Sequence, residues 1–221
     1  MTETLKRIIT SFFLMFLLLV SINNILILAI IVLLIFYQII YEFHNIFKKI
    51  FPSREKYKQF FMFSVILIYI SFFSFKILEV FYINNPELKF LFYLIISICI
   101  ATDIGGYVFG KFFKGKKLTK ISPNKTYSGL IGSYVLAVIF NLLLFNNIFE
   151  NNRIILVAIV ISTISQLGDL FISLLKRKAK IKDTGVILPG HGGLLDRFDG
   201  LIFAIPIGIL LFSLWKKVWL F

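Results

Sequence analysis

The sequence predicts an all-α protein, a bundle of about seven helices that cross a membrane. Hydrophobic residues make up 59% of the 221 residues, and charged residues make up only 16%. Several apolar runs approach the ~20 residues that an α-helix needs to cross a bilayer. Phenylalanine contributes 27 residues, which departs from the composition of soluble domains. A soluble protein with one large core therefore explains the sequence poorly.

Seven apolar stretches are the predicted membrane spans, and they lie at 8–22, 25–43, 60–75, 90–102, 129–145, 154–175 and 201–214. The first and fourth are short for a bilayer, so each is either re-entrant or extended by polar neighbours. The segment 75–82 is an ambiguous continuation of the third span. The opening residues resemble a signal peptide without a small-residue cleavage site, so we expect a retained first helix.

Basic residues predict the orientation of these spans, because Lys and Arg concentrate in cytoplasmic loops. Most of the 24 Lys and Arg lie before the first span and in the loops after the second, fourth and sixth spans. This bias predicts a cytoplasmic N-terminus and three cytoplasmic loops. The single cysteine, Cys99, lies in an apolar run, which excludes a disulfide framework and a cysteine metal site.

The most polar segment of the chain, residues 173–199, lies between two of the apolar spans. It holds three of the five aspartates, and all five fall at or near the predicted cytoplasmic face: Asp103, Asp169, Asp183, Asp196 and Asp199. A carboxylate at the end of an apolar span is costly unless a basic group or a bound cation compensates it. For Asp103 alone, a helix-end carboxylate that reaches water remains an equal alternative.

The predicted cytoplasmic loop at 105–126 combines glycines, six lysines and the hydroxyls of Ser122 and Thr126. Backbone N–H groups, ammonium groups and hydroxyls together suit a polyphosphate. The loop has no GxxxxGK[ST] motif, so it is not a Walker loop. Basic loops also arise from topology and from attraction to anionic lipid, and both interpretations stay open. The turn PGHGG at 189–193 holds His191 between glycines.

Carboxylates without a cluster of histidines or cysteines favour a hard cation such as Mg²⁺ over zinc. A hard cation with lysines and arginines at a membrane face suggests phosphoryl or nucleotidyl transfer, in which the metal bridges phosphate oxygens. An ion or solute transporter would place its acids near the bilayer midplane, whereas these acids cluster at one face. A non-catalytic membrane scaffold would leave the clustered aspartates unexplained.

The spacing SxxKR, KDxG and PxHGGxxDRxD within 173–199 resembles the signature of the phosphatidate cytidylyltransferases. The segment QLGDL at 166–170 is similar to the stretch that precedes that signature. Asp103 with Gly106 and Tyr107, followed by ISPNKT at 121–126, resembles the second cytoplasmic motif of the family. The resemblance covers about 101–200, which divides the chain into N-terminal spans at 1–100 and a catalytic region at 101–221. Ser128 and Gly200 depart from the usual residues of the family.

This resemblance implies an enzyme of phospholipid biosynthesis that makes CDP-diacylglycerol and pyrophosphate from CTP and phosphatidic acid. It also implies Mg²⁺ at a two-cation centre, a homodimer in a bacterial inner membrane, and no nucleic-acid partner. Whether the second cation is monovalent stays open. A related CTP-dependent membrane enzyme, such as a CDP-archaeol synthase or a polyprenol kinase, is the alternative that product identification would separate.

Matched residue by residue, the resemblance makes Asp169 and Asp196 the metal ligands, with Asp196 expected to fold back towards Asp169. The other predicted catalytic residues are Lys182, Arg197, His191, Asp183 and Asp199. The predicted substrate and phosphate ligands are Asp103, Tyr107, Ser122, Lys125, Thr126, Ser173, Lys176 and Arg177.

Overall fold

A computed structural model of the chain describes residues 24–119, 121–123, 125–145, 151–187 and 192–219. Across these ranges the chain is almost entirely helical, and one isolated antiparallel bridge joins Lys117 to Thr126. The helices are α1, Ile25–Ile50; α2, Lys56–Tyr82; α3, Pro86–Phe113; α4, Tyr127–Phe145; α5, Asn151–Lys178; α6, Leu195–Phe198; and α7, Leu201–Trp219. A 3₁₀ turn, Ser53–Glu55, precedes α2.

Helices α1 to α5 are long and apolar enough to cross a membrane, and Leu201–Leu214 within α7 is a shorter apolar helix. The predicted all-α, polytopic architecture is therefore confirmed. The first predicted span, 8–22, lies outside the described residues. Each of the other six falls inside one described helix, and 75–82 forms the end of α2.

The prediction of a loop at 105–126 is wrong for its first half, because α3 continues as a helix to Phe113. Pro86 is the first residue of this helix, a position where its fixed φ angle suits the start of a helix. The helix ends where Lys114 and Gly115 adopt positive φ angles of 50° and 112°. The apolar run at 90–102 is therefore only the hydrophobic middle part of a much longer helix.

Glycines bring α3 and α4 into close backbone contact. A Cβ atom on Gly105 would lie 2.5 Å from the Gly132 carbonyl oxygen, and one on Gly129 would lie 2.8 Å from the Gly106 carbonyl oxygen. Small residues allow this approach in a bilayer, where van der Waals packing replaces the hydrophobic effect as the force between helices. The GxxxG spacing of Gly106 and Gly110 is the sequence signal of the contact.

The chain divides into two compact units: Met1–Asn85 with Leu175–Phe198, and Pro86–Leu174 with Asp199–Phe221. In the first unit, α1 packs on α2 around buried apolar side chains that include Phe43, Phe47 and Phe73. In the second unit, α3 packs against α4 and α7. The division at residue 100 drawn from the sequence marks where the resemblance begins, and it stays a prediction.

Candidate active site

One group of predicted residues lies in the second unit, around the side chain of Asp169 on α5. Lys125, just before α4, forms a salt bridge with Asp169 Oδ2. Ser173, one turn further along α5, donates a hydrogen bond to Asp169 Oδ1 at 3.3 Å. Asp103 on α3 interacts electrostatically with both members of the pair. An acid, a base and a hydroxyl that the sequence predicted as site residues therefore meet, within the electrostatic range of a second predicted acid, Asp103.

The Lys125–Asp169 pair is open to solvent, with side chains that are 27% and 29% exposed. The backbone of Lys125 is held from two sides: its carbonyl accepts from Leu118 N at 2.7 Å, and its N–H donates to Ser122 O at 3.1 Å. A partly solvated ion pair contributes little to stability. Either side chain can therefore leave its partner and bind a charged ligand with little loss of folding free energy.

The hydroxyl of Thr126 has a structural partner in the predicted phosphate loop. Gly129 N donates to Thr126 Oγ1 at 3.1 Å, which satisfies one of the free N–H groups at the start of α4. The same oxygen lies 3.0 Å from Ser128 Oγ, and Ser128 Oγ donates to the Lys114 carbonyl oxygen. Ser128, one of the two departures from the family pattern, therefore fastens the loop to the end of α3.

Other predicted ligands of this loop have partners of their own. The backbone N–H of Ser122 donates to Thr119 Oγ1 at 3.2 Å. Tyr107 is exposed on α3, and its hydroxyl accepts a hydrogen bond from Lys111 Nζ at 3.5 Å. Phosphate binding by Ser122, Thr126 and Tyr107 stays a prediction.

A second group lies in the first unit, around Asp196 at the start of α6. Lys176 Nζ donates to Asp196 Oδ1 at 2.9 Å. Oδ2 accepts from Thr184 N at 2.8 Å and from Gly193 N at 3.0 Å, and it lies 3.1 Å from Thr184 Oγ1. These donors surround a side chain that is 9% exposed. Thr184 and Gly193 belong to the signature loop, by which we mean residues 182–187 and 192–198, whereas Lys176 lies on α5.

These contacts decide the charge state of Asp196. Burial alone would raise the pKa of this carboxyl group, but the hydrogen bond from Lys176, those from the Thr184 and Gly193 backbone, and the charge of Lys176 outweigh it. The pKa of Asp196 is therefore lowered from its ordinary value. Asp196 remains an anion at neutral pH.

Asp183 lies beside Asp196, because a Cβ atom on Gly192 would be 3.6 Å from Asp183 Cβ and 3.1 Å from Asp196 Oδ2. Gly192 has a φ angle of 80°, a backbone conformation that favours glycine. Arg177, at the end of α5, donates from Nη1 to the Ile181 carbonyl oxygen at 3.5 Å.

The remaining predicted catalytic residues are distributed around these groups. Lys182 and Arg197 are exposed in the signature loop. Asp199 Oδ1 accepts from Gly200 N at 2.8 Å, in the second unit. His191 lies outside the described residues. Because Asp169 and Asp196 belong to different units, the expectation that they meet stays a prediction.

The sequence profile of the cytidylyltransferase family matches residues 2–215, which is nearly the whole chain. The chain belongs to the cytidylyltransferase family. It is 43% identical over 140 residues to a phosphatidate cytidylyltransferase of Rickettsia bellii, across 59% of this chain and 61% of that protein. It is 40% identical over 144 residues to one of Bacillus subtilis, across 63% and 53%. The chain thus spans about half to three-fifths of the length of the curated relatives that it matches.

The donor chemistry of the Asp169 group fits Mg²⁺, which the resemblance to this family implied. Among the described residues, no group of three or more His, Cys, Asp or Glu could hold a metal ion. Mg²⁺ usually keeps several waters and takes one or two protein carboxylates together with substrate phosphates, so such a group is not required. Asp169, with Asp103 close by, offers hard oxygen donors of the right kind.

Asp196 fits a metal less directly, because both of its oxygens already accept hydrogen bonds, Oδ1 from Lys176 and Oδ2 from two backbone N–H groups. A carboxylate has about four acceptor positions, so an ion would bind most easily at Oδ1, which accepts from Lys176, and least easily at Oδ2, which accepts from the backbone. Lys176 is the donor whose charge the ion could replace. The assignment of both aspartates as metal ligands stays a prediction.

Two residues of the first unit were missed by the sequence analysis. Glu42 on α1 is 1% exposed and Thr184 is 8% exposed, and the two are joined by a hydrogen bond. Glu42 did carry a signal, since a carboxylate inside a predicted span is expensive and therefore suspect. Thr184 stands at the variable position of KDxG and carried no signal.

Proposed function

We propose that this chain is a CTP:phosphatidate cytidylyltransferase that makes CDP-diacylglycerol and pyrophosphate. The observation that carries the proposal is the Lys125–Asp169 pair. It joins the ISPNKT segment to the QLGDL segment in a member of the cytidylyltransferase family. Relatives named phosphatidate cytidylyltransferase, at 40% to 43% identity, support this substrate pair over other CTP-dependent reactions.

The reaction needs positioning and charge neutralisation more than covalent help from the protein. A phosphate oxygen of phosphatidic acid forms a bond to the α-phosphorus of CTP. The bond from that phosphorus to the bridging oxygen breaks, and the electron pair leaves with pyrophosphate. Bound Mg²⁺ would neutralise charge on the phosphate oxygens, and Asp169 and Asp196 are the proposed metal ligands.

Lysines that are paired with aspartates suit this task. Lys125 is paired with Asp169, and Lys176 is paired with Asp196. A substrate phosphate can take over either ammonium group, and the released carboxylate is then available to a cation. Each lysine therefore passes from an internal partner to a substrate without leaving a charge unpaired. Lys182 and Arg197 are exposed and can add further positive charge.

The proposed setting is a bacterial inner membrane, with the N-terminus in the cytoplasm. Helices that are long and apolar enough to span a bilayer and the bacterial origin of the relatives support it. A reporter fused after Lys217 should then lie outside the cytoplasm, and a cytoplasmic signal would contradict the orientation. We also propose a homodimer, which cross-linking in native membranes tests.

The decisive experiment incubates the purified protein with labelled CTP, phosphatidic acid and Mg²⁺. We expect a lipid-soluble cytidine product whose mass equals that of CDP-diacylglycerol, and chelation of the metal should abolish its formation. A product formed only from a polyprenol or from an archaeal ether lipid would reassign the substrate. No product, under conditions in which the Bacillus subtilis relative is active, would reject the proposal.

A further inference from the structure

A carboxylate from a distant helix lies at the centre of the signature loop. Glu42 Oε1 accepts from Leu194 N at 2.9 Å, and Oε2 accepts from Leu195 N at 2.9 Å. Thr184 Oγ1 donates to Oε2 at 2.5 Å, and Gln38 on the same helix donates to Oε1 at 2.8 Å. All of these residues belong to the first unit. Four donors therefore satisfy a carboxylate that is almost completely buried.

Two glycines of the signature lie directly against this carboxylate. A Cβ atom on Gly193 would be 2.5 Å from Glu42 Oε2 and 2.1 Å from Thr184 Oγ1. A Cβ atom on Gly185 would be 3.0 Å from Glu42 Oε1. The glycine of KDxG and the second glycine of HGG are therefore needed for the approach of the loop backbone to Glu42. Residues of the signature loop thus surround the Glu42 carboxylate.

Two residues of the signature loop, Thr184 and Gly193, contact both Glu42 and Asp196. Thr184 donates to Glu42 through its hydroxyl and to Asp196 through its backbone N–H at 2.8 Å. The Thr184 hydroxyl also lies 3.1 Å from Asp196 Oδ2. Gly193, packed against Glu42, donates its N–H to Asp196 at 3.0 Å. The position of Asp196 therefore depends on that of Glu42.

We infer that Glu42 is a positioning residue of the nucleotidyl-transfer site. Its hydrogen bonds hold the backbone of the signature loop in place and thereby hold the carboxylate of Asp196 in position. This inference rests on the proposed function for its catalytic consequence, but not for its structural one. Glutamine in place of Glu42 has one acceptor oxygen and one NH₂ group. Whichever way that amide is turned, its NH₂ meets the N–H of Leu194 or of Leu195. At least one backbone donor of the loop then loses its partner.

The test compares Glu42→Gln with the native protein by hydrogen–deuterium exchange and by steady-state kinetics. We expect faster amide exchange in the peptide that covers residues 192–198, with unchanged exchange in α3 and α4. Turnover of CTP and phosphatidic acid should fall by about 10- to 100-fold in kcat, since hydrogen bonds to a buried charged group are lost. Both KM values should change much less than kcat, because a loosened loop misplaces Asp196 without removing a substrate ligand.

Glu55→Gln is the matched control, because it makes the same chemical change at a partly exposed acid of the same unit. It should leave both exchange and turnover as in the native protein. If Glu42→Gln leaves exchange at residues 192–198 unchanged, the inference is wrong. It is also wrong if exchange rises equally in α3 and α4, because Glu42 would then serve global stability and not the loop.

A second pair of variants decides the matter if Glu42→Gln does not fold. Thr184→Val removes the hydroxyl that reaches Glu42, whereas Thr184→Ser keeps it. We expect faster exchange at residues 192–198 and a lower kcat in the valine variant, and near-native values in the serine variant. Equal behaviour of the two variants would overturn the inference. A native protein that makes no CDP-lipid would reject the proposed function alone, since the exchange measurements remain valid.

Discussion

The two aspartates predicted as metal ligands have very different surroundings. Asp196 is 9% exposed and accepts three hydrogen bonds, two of them from the backbone of the signature loop. Asp169 is 29% exposed and is bound by side chains, the ammonium group of Lys125 and the hydroxyl of Ser173. The first carboxylate is part of the loop's own architecture. The second can change its partners without a change in the backbone.

This difference separates two ways of preparing a site for phosphate chemistry. A carboxylate held by backbone N–H groups is fixed before any substrate binds, so its position costs nothing during the reaction. A carboxylate held by mobile side chains can accept a new cation when a phosphate takes the lysine away. We therefore expect that changes at Asp196 alter structure and activity together, whereas changes at Asp169 alter activity alone.

The largest expected effect is on activity, in the variants Asp169→Asn and Asp196→Asn. Both should lower kcat by about 1000-fold or more if each carboxylate carries a metal, which supplies several kcal/mol to the transition state. Only Asp196→Asn should also speed amide exchange at residues 192–198. Near-native synthesis of CDP-diacylglycerol in either variant would refute its metal assignment. Unchanged exchange in Asp196→Asn would remove the contrast between the two sites.

An intermediate effect is expected on thermal stability when the two lysines are compared. Lys176→Gln leaves a poorly exposed carboxylate without its ammonium partner, and the midpoint of thermal unfolding in detergent should fall by about 5 °C. Lys125→Gln breaks a more solvated pair, and the midpoint should fall by less than about 2 °C. Lys58→Gln, at the exposed pair with Glu55, serves as the control. Equal shifts for Lys176 and Lys125 would count against the contrast.

The smallest effect is a dependence on pH at the Asp196 group. Its pKa is lowered in the folded protein, so its contribution to stability is complete above about pH 4, the ordinary value for aspartate. That contribution is lost as the pH falls through the lowered pKa. We expect equal protection of the loop amides at pH 7 and pH 5, after correction for intrinsic exchange, and a loss of protection only in stronger acid. Asp196→Asn should lack this acid-induced loss.

The membrane helices could be predicted from the sequence because the thickness of a bilayer sets the length of an apolar run. Their ends could not. Hydropathy identifies the part of a helix that suits lipid, and α3 continues through Gly105, Lys111 and Phe113 after that part has ended. Glycine suggested a loop there, yet the glycines of α3 serve the contact with α4. Glycine in a loop and glycine at a contact between helices cannot be told apart from the sequence without knowledge of the neighbouring helix.

The candidate site was predictable where its residues form a local pattern. The signature and the ISPNKT segment led to Lys125, Asp169, Lys176 and Asp196, which the structure joins as two ion pairs. Which lysine pairs with which aspartate was not predictable, since the partners come from different segments. Glu42 was missed for the same reason. Its partners in the signature loop are 142 to 153 residues away along the chain, and no spacing rule links them.

That separation has a consequence for the making of the protein. Thr184 lies 142 residues after Glu42, so at ~5–20 residues per second the ribosome needs roughly 7 to 28 s to supply it. During this interval α1 is already available for insertion into the bilayer, with a carboxylate in its second half whose loop partners have not been translated. Lys48 and Lys49 in the last turn of α1 can keep that end of the helix near the headgroups meanwhile. The partners of Glu42 on the first described helix are thus translated well after that helix.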